Sequence, residues 1–421
     1  MSNIKLVEKN LKKRYARERR FQLYGKMAVL TGFIFLALLL IDIISKAMPA
    51  FQATEILLDI PLDHATLELE PAQKLDQDTL SALNYAGLIK TALRQAFPEV
   101  TNRSDKKLLY KLVSDGAEFT LRDHIISNPE LIGKDSISLW IKADDDIDTL
   151  FKLETLTSRV KPEQVAFVEQ LKQENRIATH FNTTFFSNSD SREPEQAGIK
   201  GALLGSFWTL LVTLLLSLPI GIGAAVYLEE FAPQNKLTDF VEININNLAA
   251  VPSIVFGLLG LAVFINFFGM PRSAPLVGGL VLSLMTLPTI IISSRAAIKA
   301  VPPSIKEAAL GLGASHVQTV FHHVIPLAMP GILTGAIIGM AQALGETAPL
   351  LMIGMVAFIV DVPGGILDSA TVLPVQIYLW ADSPERAFTA LTAATILVLL
   401  VFLATMNTLA ILLRKHFEKR W

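Results

Sequence analysis

The chain has 421 residues, of which 51% are hydrophobic and only 18% are charged. Soluble proteins usually carry about a quarter charged residues, so this composition excludes a purely soluble or disordered chain. The net charge of −2 gives no support for nucleic-acid binding, and the count of zero cysteines excludes disulfides, thiol catalysis and cysteine-bound metals.

The N-terminal region predicts a membrane anchor. Residues 1–26 are rich in Lys and Arg, and an apolar run follows from Met27 to Ile44. A run of roughly 17–25 apolar residues can span a bilayer core. The sequence after it, Ser45–Pro49, is a poor match to a signal-peptide cleavage site, so we favour an uncleaved anchor over 27–46. By the positive-inside rule, the basic flank predicts that the N-terminus is cytoplasmic.

A polar region follows the anchor, from residue 47 to 197. Residues 136–142 alternate like a strand, and residues 108–113 and 163–174 have the periodicity of amphipathic helices. Because one span that begins inside precedes this region, we predict an extracytoplasmic α+β domain inserted between the first and second membrane helices.

The rest of the chain, residues 198–415, predicts five further membrane helices. The apolar stretches cover approximately residues 202–228, 245–268, 276–292, 329–359 and 388–413. The fold class is therefore an α-helical membrane protein with six transmembrane helices. This count puts segment 293–328 and the C-terminus, 416–421, in the cytoplasm.

The predicted cytoplasmic segment 229–244 does not fit the positive-inside rule, which expects basic residues there. Its acidic residues outnumber its single basic residue, Lys236. The acids are Glu229, Glu230, Asp239 and Glu242.

Motifs for enzymatic chemistry are missing from the sequence. It contains no phosphate-binding G-x-x-x-x-G-K-[ST] loop, no H-E-x-x-H and no evident Ser/His/Asp set. We therefore predict no catalytic residue, no metal and no cofactor. If the protein performs uphill work, its energy source is on another chain.

Segment 293–328 predicts two short helices joined by a glycine corner. Ser304 with Glu307, and Ser315 with Gln318, have the spacing of capping boxes, in which each side chain satisfies a backbone N–H of the other residue. Gly313, with Gly311, closes the first helix because glycine tolerates a left-handed backbone. Two prolines, Pro326 and Pro330, are expected to end the second helix before the next span.

Two interpretations of this segment are open. It is either an amphipathic connector on the lipid headgroups or a docking element for a cytoplasmic partner. The small side chains of Ala308 and Ala309 would allow a partner to approach closely.

The order Glu307-Ala308-Ala309, then Gly313, then Pro326 resembles the EAA loop of importer-type ABC permeases. This resemblance implies that the loop, including Ser304, is a coupling helix seated in a cleft of a cytoplasmic ATPase subunit dimer. The chain departs from the family pattern at His323, where Ile is usual, and at Ile325, where Leu is usual.

Flanking segments narrow the resemblance to the phosphate-specific transport permeases of the PstA type. The segments are VPSIVFGL from Val251, PGILTG from Pro330, GETAPLL from Gly345 and LPVQIY from Leu373. The resemblance covers roughly residues 200–415. It implies a multi-pass protein of the cytoplasmic (inner) membrane, with an extracytoplasmic phosphate-binding protein and a second, non-identical permease subunit of the PstC type as partners.

The span that begins near Met329 has a face of small residues. Gly331, Gly335 and Gly339 recur at every fourth position, a spacing that lets two membrane helices pack closely. We predict that this helix lies inside the protein. Pro349 then weakens the helix next to Glu346, because proline cannot donate a backbone hydrogen bond.

Glu346 is predicted to lie within the membrane, past its centre. About 25 Å of helix would separate its carboxylate from Met329. A charge there is costly, on the order of 2.5–3.5 kcal/mol, so it should face a cavity or a cation. It is either a structural carboxylate at a broken helix or a residue of the translocation path.

The candidate path residues besides Glu346 are Thr347, Gln342, Ser253 and Arg295. The resembling family usually has Arg at the positions of Gln342 and Ile292, so positive charge for an anion is expected mainly from the second permease.

The resemblance predicts a permease subunit of an ATP-driven importer for inorganic phosphate. Two alternatives stay open. One is a permease for another oxyanion, such as sulfate, molybdate or phosphonate, and the other is a membrane sensor or scaffold that transports nothing.

Overall fold

The computed structural model describes residues 3–63, 67, 76–153 and 159–417. The C-terminal prediction, 416–421, therefore lies outside the described residues from 418 onward. The polar region contains β1 (Gln52–Pro61), α2 (Gln77–Ser81), α3 (Tyr85–Ala96), α4 (Arg103–Tyr110), α5 (Ala117–Ser127), β2 (Ser136–Lys142), α6 (Asp145–Leu153), α7 (Pro162–Gln173), β3 (Ile177–Phe181) and α8 (Thr184–Ser187). The apolar regions contain α1 (Asn3–Ala47), α9 (Lys200–Val226), α10 (Lys236–Ala249), α11 (Ser253–Leu259), α12 (Pro275–Lys299), α13 (Pro303–Gly311), α14 (His316–Thr319), α15 (Ile325–Gly345), α16 (Ala348–Met352), α17 (Leu373–Ala381) and α18 (Phe388–Phe417).

The first helix is much longer than the predicted anchor. α1 has 45 residues, or about 68 Å of helix, because the basic segment before Met27 is also helical. Its Lys, Arg, Glu and Leu residues are all good helix formers, so nothing ends the helix at the edge of the apolar run. α1 contacts the last helix, α18, only near its own C-terminal end, where Leu40 and Ile43 are half-buried and Ala47 is buried.

The polar region is built on a three-stranded antiparallel sheet in the order β2-β1-β3. Alternate side chains of the central strand, Ile56, Leu58 and Ile60, are fully buried under the helices of the region. The strand predicted at 136–142 is confirmed as β2, and the helix predicted at 163–174 matches α7. The other helix was placed wrongly: α4 ends at Tyr110, and residues 111–113 follow it as a turn and an isolated bridge.

Five helices of the described residues are long and apolar enough to cross a membrane, or six if one bent pair counts as a single span. The span predicted over 245–268 corresponds to the bent pair, and Pro252, which predicts a kink, lies at the bend. α10 meets the helix Ser253–Phe267 at 104°, and the two are separated by Ala250, Val251 and Pro252. Pro252 interrupts the helix because it lacks the backbone donor and clashes with the preceding turn.

The span predicted at 329–359 is corrected at both ends. The helix runs without a break from His316 to Gly345, so Pro326 and Pro330 do not end it. A five-residue π segment, Val320–Val324, lies just before Pro326. It widens the helix at the turn where Pro326 has no backbone N–H to donate. At the other end, helix α15 ends at Gly345, and only the short α16 follows.

Candidate functional site

Helix α13 begins with a proline pair. Its N-cap is Pro302 and its first residue is Pro303, whose fixed φ suits the first helical position. The helix therefore starts before Ser304, and the predicted capping box between Ser304 and Glu307 does not form.

The corner after α13 is a Schellman motif. Gly313 has φ +91°, its N–H donates to Leu310 O, and the next N–H, of Ala314, donates to Ala309 O. The second predicted capping box does form: Ser315 Oγ accepts from Gln318 N–H, and Gln318 Oε1 accepts from Ser315 N–H at 2.9 Å. These local bonds hold α13 and α14 as one unit, which we call the helix pair.

One side of the helix pair is open. Ser304, Glu307, Ala308 and Gly313 are exposed, whereas Ala309 is buried. Ala308, Ala309 and Gly313 border a groove of about 560 Å³, together with Ser304 and His323. Pro326, the last residue of the predicted motif, is exposed at the start of α15. Small side chains around an open groove leave room for a partner's backbone.

The other side of the helix pair is fixed to the end of α9. A π segment, Tyr227–Phe231, extends that helix. In it, the Glu230 carboxylate is 2.5 Å from Lys306 Nζ of α13, and the Glu230 side chain is only 4% exposed. Glu230 O lies 2.8 Å from His316 Nε2 of α14, whose ring meets the edge of Phe231. Both helices of the pair are therefore attached to one segment.

Arg295 is engaged by two carboxylates. Its guanidinium lies 2.7 Å from Glu242 of α10 and 3.4 Å from Glu229 of the π segment. This ion-pair cluster ties α12 to α10 and to the end of α9. The Arg295 charge is therefore already compensated within the protein.

The small-residue face of α15 packs against α12. A methyl group added at Gly331 would lie 2.6 Å from Ala297 Cβ, and one at Gly335 would collide with the Ser293 side chain. Gly339 faces Ile290 and Thr286 at ordinary contact distance. The two helices are thus antiparallel neighbours in close contact.

Glu346 lies at the interruption between α15 and α16. It is half-buried with an extended backbone (φ −80°, ψ 126°), and among the residues that the structure describes its carboxylate has no hydrogen-bond partner. Thr347 caps α16, and Gln342 is exposed one turn before Glu346. Gly257 of α11 contacts Pro349 of α16, so the helix that begins at Ser253 packs against the residues that follow the interruption.

Arg295 is remote from this interruption. The contacts between α12 and α15 put Arg295 at the level of residue 333, about 20 Å along the helix from Glu346. Glu346, Thr347 and Gln342 therefore lie close in the chain at the interruption, Ser253 begins a helix that packs on α16, and Arg295 is separated from all of them.

One group of carboxylates within the described residues is close enough to share a cation. The oxygen atoms of Asp144, Asp145 and Asp146 lie within 4.8 Å of one another. Burial, and then the charge of Asp145, raise the pKa of Asp144 to about 8, so this carboxyl is mostly protonated at neutral pH.

The sequence pattern does not predict the attachments of the helix pair. It shows Glu229, Glu230 and Glu242 only as part of an acidic excess in segment 229–244. That acidic excess was the signal that could have indicated the attachments. An acidic segment and a basic segment, here the one that contains Arg295 and Lys306, can compensate each other's charge by contact in the folded protein.

Comparison with known proteins is consistent with these features. Residues 217–421 match the family described as "Binding-protein-dependent transport system inner membrane component", and residues 8–159 match "Domain of unknown function (DUF3333)". The "Probable ABC transporter permease protein YqgI" of Bacillus subtilis is 40% identical over 168 residues, which are 40% of this chain and 56% of that protein. The "Phosphate transport system permease protein PstA 1" of Mycobacterium tuberculosis is 34% identical over 225 residues, 52% of this chain and 72% of that protein.

Among solved structures, an inward-facing methionine ABC transporter, MetNI, matches 53% of this chain and 95% of its own. The sequence identity is 18% and the TM-score is 0.40.

Proposed function

The chain belongs to the inner membrane permeases of binding-protein-dependent ABC importers, of the PstA type, and on this premise we propose that it is the permease subunit of an ATP-driven importer of inorganic phosphate. The name of the PstA 1 relative supports phosphate as the substrate. The proposed partners are a cytoplasmic ATPase dimer, a second permease of the PstC type and an extracytoplasmic phosphate-binding protein.

The observation that carries the mechanism is the two-sided environment of the helix pair. Its exposed side, with Glu307, Ala308 and the groove, would be gripped by the ATPase subunit. Its other side is joined by Lys306 and His316 to the end of α9. Closure of the ATPase dimer would therefore move α9 together with the helices that pack on it, and so change access to the path.

The proposed topology follows from this assignment. The end of the protein at the helix pair would be cytoplasmic, together with both chain termini. The polar region between α1 and α9 would then be an extracytoplasmic domain, and the bent pair α10–α11 would count as the sixth membrane segment. Cysteine accessibility labelling at Ser304 and at Lys134, both exposed, tests the two sides.

Coupling is tested by assembly and uptake. We expect Glu307→Ala to weaken co-purification with the ATPase subunit and to lower uptake of labelled phosphate in proteoliposomes that contain all partners. Glu163→Ala, at an exposed position on α7, is the matched control. Unchanged assembly and uptake in the Glu307 variant would favour the sensor or scaffold alternative.

The translocation path is proposed to pass the interruption at Glu346, with Thr347, Gln342 and Ser253 beside it. A half-buried carboxylate without a partner among the described residues is expensive in a membrane, so it is expected to serve the transport cycle. We expect Glu346→Gln to reduce phosphate uptake while assembly with the ATPase persists. Competition by excess sulfate, molybdate or phosphonate distinguishes phosphate from the other oxyanions.

A further inference from the structure

A cavity of about 650 Å³ lies where the polar region meets the membrane helices. Its walls come from the end of α1 (Ser45 and Lys46), the start of α18 (Ala390 and Leu391), the sheet and helix α6. It is separate from both the helix pair and the interruption at Glu346.

In the proposed topology the cavity is at the level of the lipid headgroups, because its lining includes the ends of two apolar runs. The apolar run of α1 ends at Ile44, and that of α18 begins at Phe388. The two helices contact each other near these ends, because Ser45 and Lys46 of α1 line the cavity together with Ala390 and Leu391 of α18. The ends of both apolar runs therefore lie beside the polar groups of the cavity wall.

Two opposite charges in the cavity wall have no ion-pair partner among the residues that the structure describes. Lys152 and Arg159 also line it, but they are paired with Asp148 at 2.6 Å and Glu385 at 2.5 Å. By contrast, Arg386 forms no side-chain hydrogen bond or ion pair with any residue that the structure describes. Asp145 also forms no ion pair there, although its carboxylate accepts a hydrogen bond from the Asp146 backbone N–H and is attracted by Arg159. Arg386 is exposed, whereas Asp145 is half-buried, and burial raises the pKa of its carboxyl.

We propose that this cavity binds a phospholipid whose headgroup carries both a phosphate and a primary ammonium, with Arg386 on the phosphate and Asp145 on the ammonium. A guanidinium matches two phosphate oxygens at once. An ion of a single charge, such as free phosphate or a metal, would satisfy one of these residues and leave the other unpaired.

The lining also discriminates between zwitterionic headgroups. A quaternary ammonium, as in choline, is typically held by aromatic rings, and the described residues that line the cavity include none. A primary ammonium donates hydrogen bonds, which a carboxylate accepts. The ethanolamine headgroup is therefore the expected ligand. This inference goes beyond the transport function and does not depend on phosphate as the substrate.

The test is competitive lipid binding to the full chain. The delipidated protein in detergent is mixed with equal amounts of ethanolamine, glycerol and choline phospholipids of identical acyl chains, and bound lipid is read by native mass spectrometry. We expect about a tenfold preference for ethanolamine lipid over the other two, the effect of one hydrogen bond to a charged group. Asp145→Asn should abolish the preference, and Asp145→Lys should reverse it toward the anionic glycerol lipid.

Arg386→Gln should lower the occupancy of all phospholipids several-fold. The matched controls, Asp135→Asn and Arg103→Gln, are at exposed positions outside the cavity and should leave binding unchanged. Equal binding of the three lipids by the unmodified chain, or an ethanolamine preference retained in Asp145→Lys, would overturn the proposal. Soluble phosphoethanolamine should displace the lipid only in large excess, and displacement at equal concentration would identify a soluble ligand instead.

Discussion

Lys306 and Glu230 form a largely buried ion pair, with the ammonium 2.5 Å from a carboxylate that is only 4% exposed. Lys306 precedes Glu307, the acidic residue of the motif, by one position. This ion pair therefore connects α13 directly to the end of α9, so a force applied to the exposed side of α13 is transmitted to α9. The pair belongs to the proposed mechanism although neither residue is in the motif.

We expect Lys306→Met to destabilise the protein by about 3–5 kcal/mol, because it leaves the Glu230 carboxylate buried and unpaired. Thermal unfolding in detergent measures this change, and phosphate uptake should fall with it. The swapped double variant Glu230→Lys/Lys306→Glu should recover part of both losses. A double variant no better than the single one would show that the charges do not act as a pair.

Two glycines of the helix pair should respond oppositely to alanine. Neither Gly311 nor Gly313 has another atom within 4 Å of an added methyl group, so only the backbone differs. Gly313 has φ +91°, and alanine there should cost about 1–2 kcal/mol. Gly311 is helical, and alanine there should stabilise α13 by up to about 1 kcal/mol. Hydrogen exchange of α13 measures both effects, and equal protection in the two variants would contradict this account.

The contact between α12 and α15 is tested at Gly335. An alanine methyl would collide with the Ser293 side chain, so we expect Gly335→Ala to cost about 1–3 kcal/mol of stability. Gly223→Ala in α9 is the control, because its methyl would meet no atom within 4 Å. Resistance to unfolding by denaturing detergent reports on both. Equal stability of the two variants would mean that α15 can move away from α12 without cost.

The stability of the polar region should depend on pH with a minimum near pH 8. Burial raises the pKa of Asp144 to about 8 and that of Glu195 to about 7, so the folded state binds more protons than the unfolded chain. The contribution of these two carboxyl groups to the free energy of unfolding is complete at low pH. It is lost as the pH rises from about 4.5 to 8. Burial lowers the pKa of Lys142 to about 8, so stability rises again toward pH 10. Unfolding followed by tryptophan fluorescence measures the profile.

Asp144→Asn tests the part of this profile below pH 8, where ionisation of buried carboxyl groups lowers the stability. The amide cannot ionise, so we expect a Tm about 2–4 °C higher at pH 8 and little change at pH 5. The surface variant Asp135→Asn should leave the profile unaltered. A rise of equal size at both pH values would attribute the effect to packing rather than to ionisation.

The sequence predicted what depends on local pattern. The alternation of apolar and polar residues predicts the strand at 136–142, and the backbone freedom of glycine predicts the corner at Gly313. The structure contains both. The predicted capping box between Ser304 and Glu307 was wrong, because Pro302 and Pro303 start the helix before Ser304. Pro252 predicts a kink after α10, but the sequence does not give its size, which is 104° in the structure.

The site was harder to predict because its supports are distant in the chain. Glu230 and Lys306 are 76 positions apart, and Arg295 and Glu242 are 53 apart. Charge counting shows an acidic segment and a basic one, but it cannot assign the partners. For the same reason the Arg295 charge was expected near the path, whereas two carboxylates hold it elsewhere.

The polar region is joined to the membrane helices at several separate points. Lys152 donates to Pro49 O after α1, Trp380 of α17 donates to Asp190 at 2.9 Å, and Arg159 pairs with Glu385 before α18. Attachments on three sides leave the region little freedom to rotate as an independent body. A spin label on its sheet would consequently report rearrangements of α17 and α18, and so offers a spectroscopic readout of movements in the membrane helices from outside them.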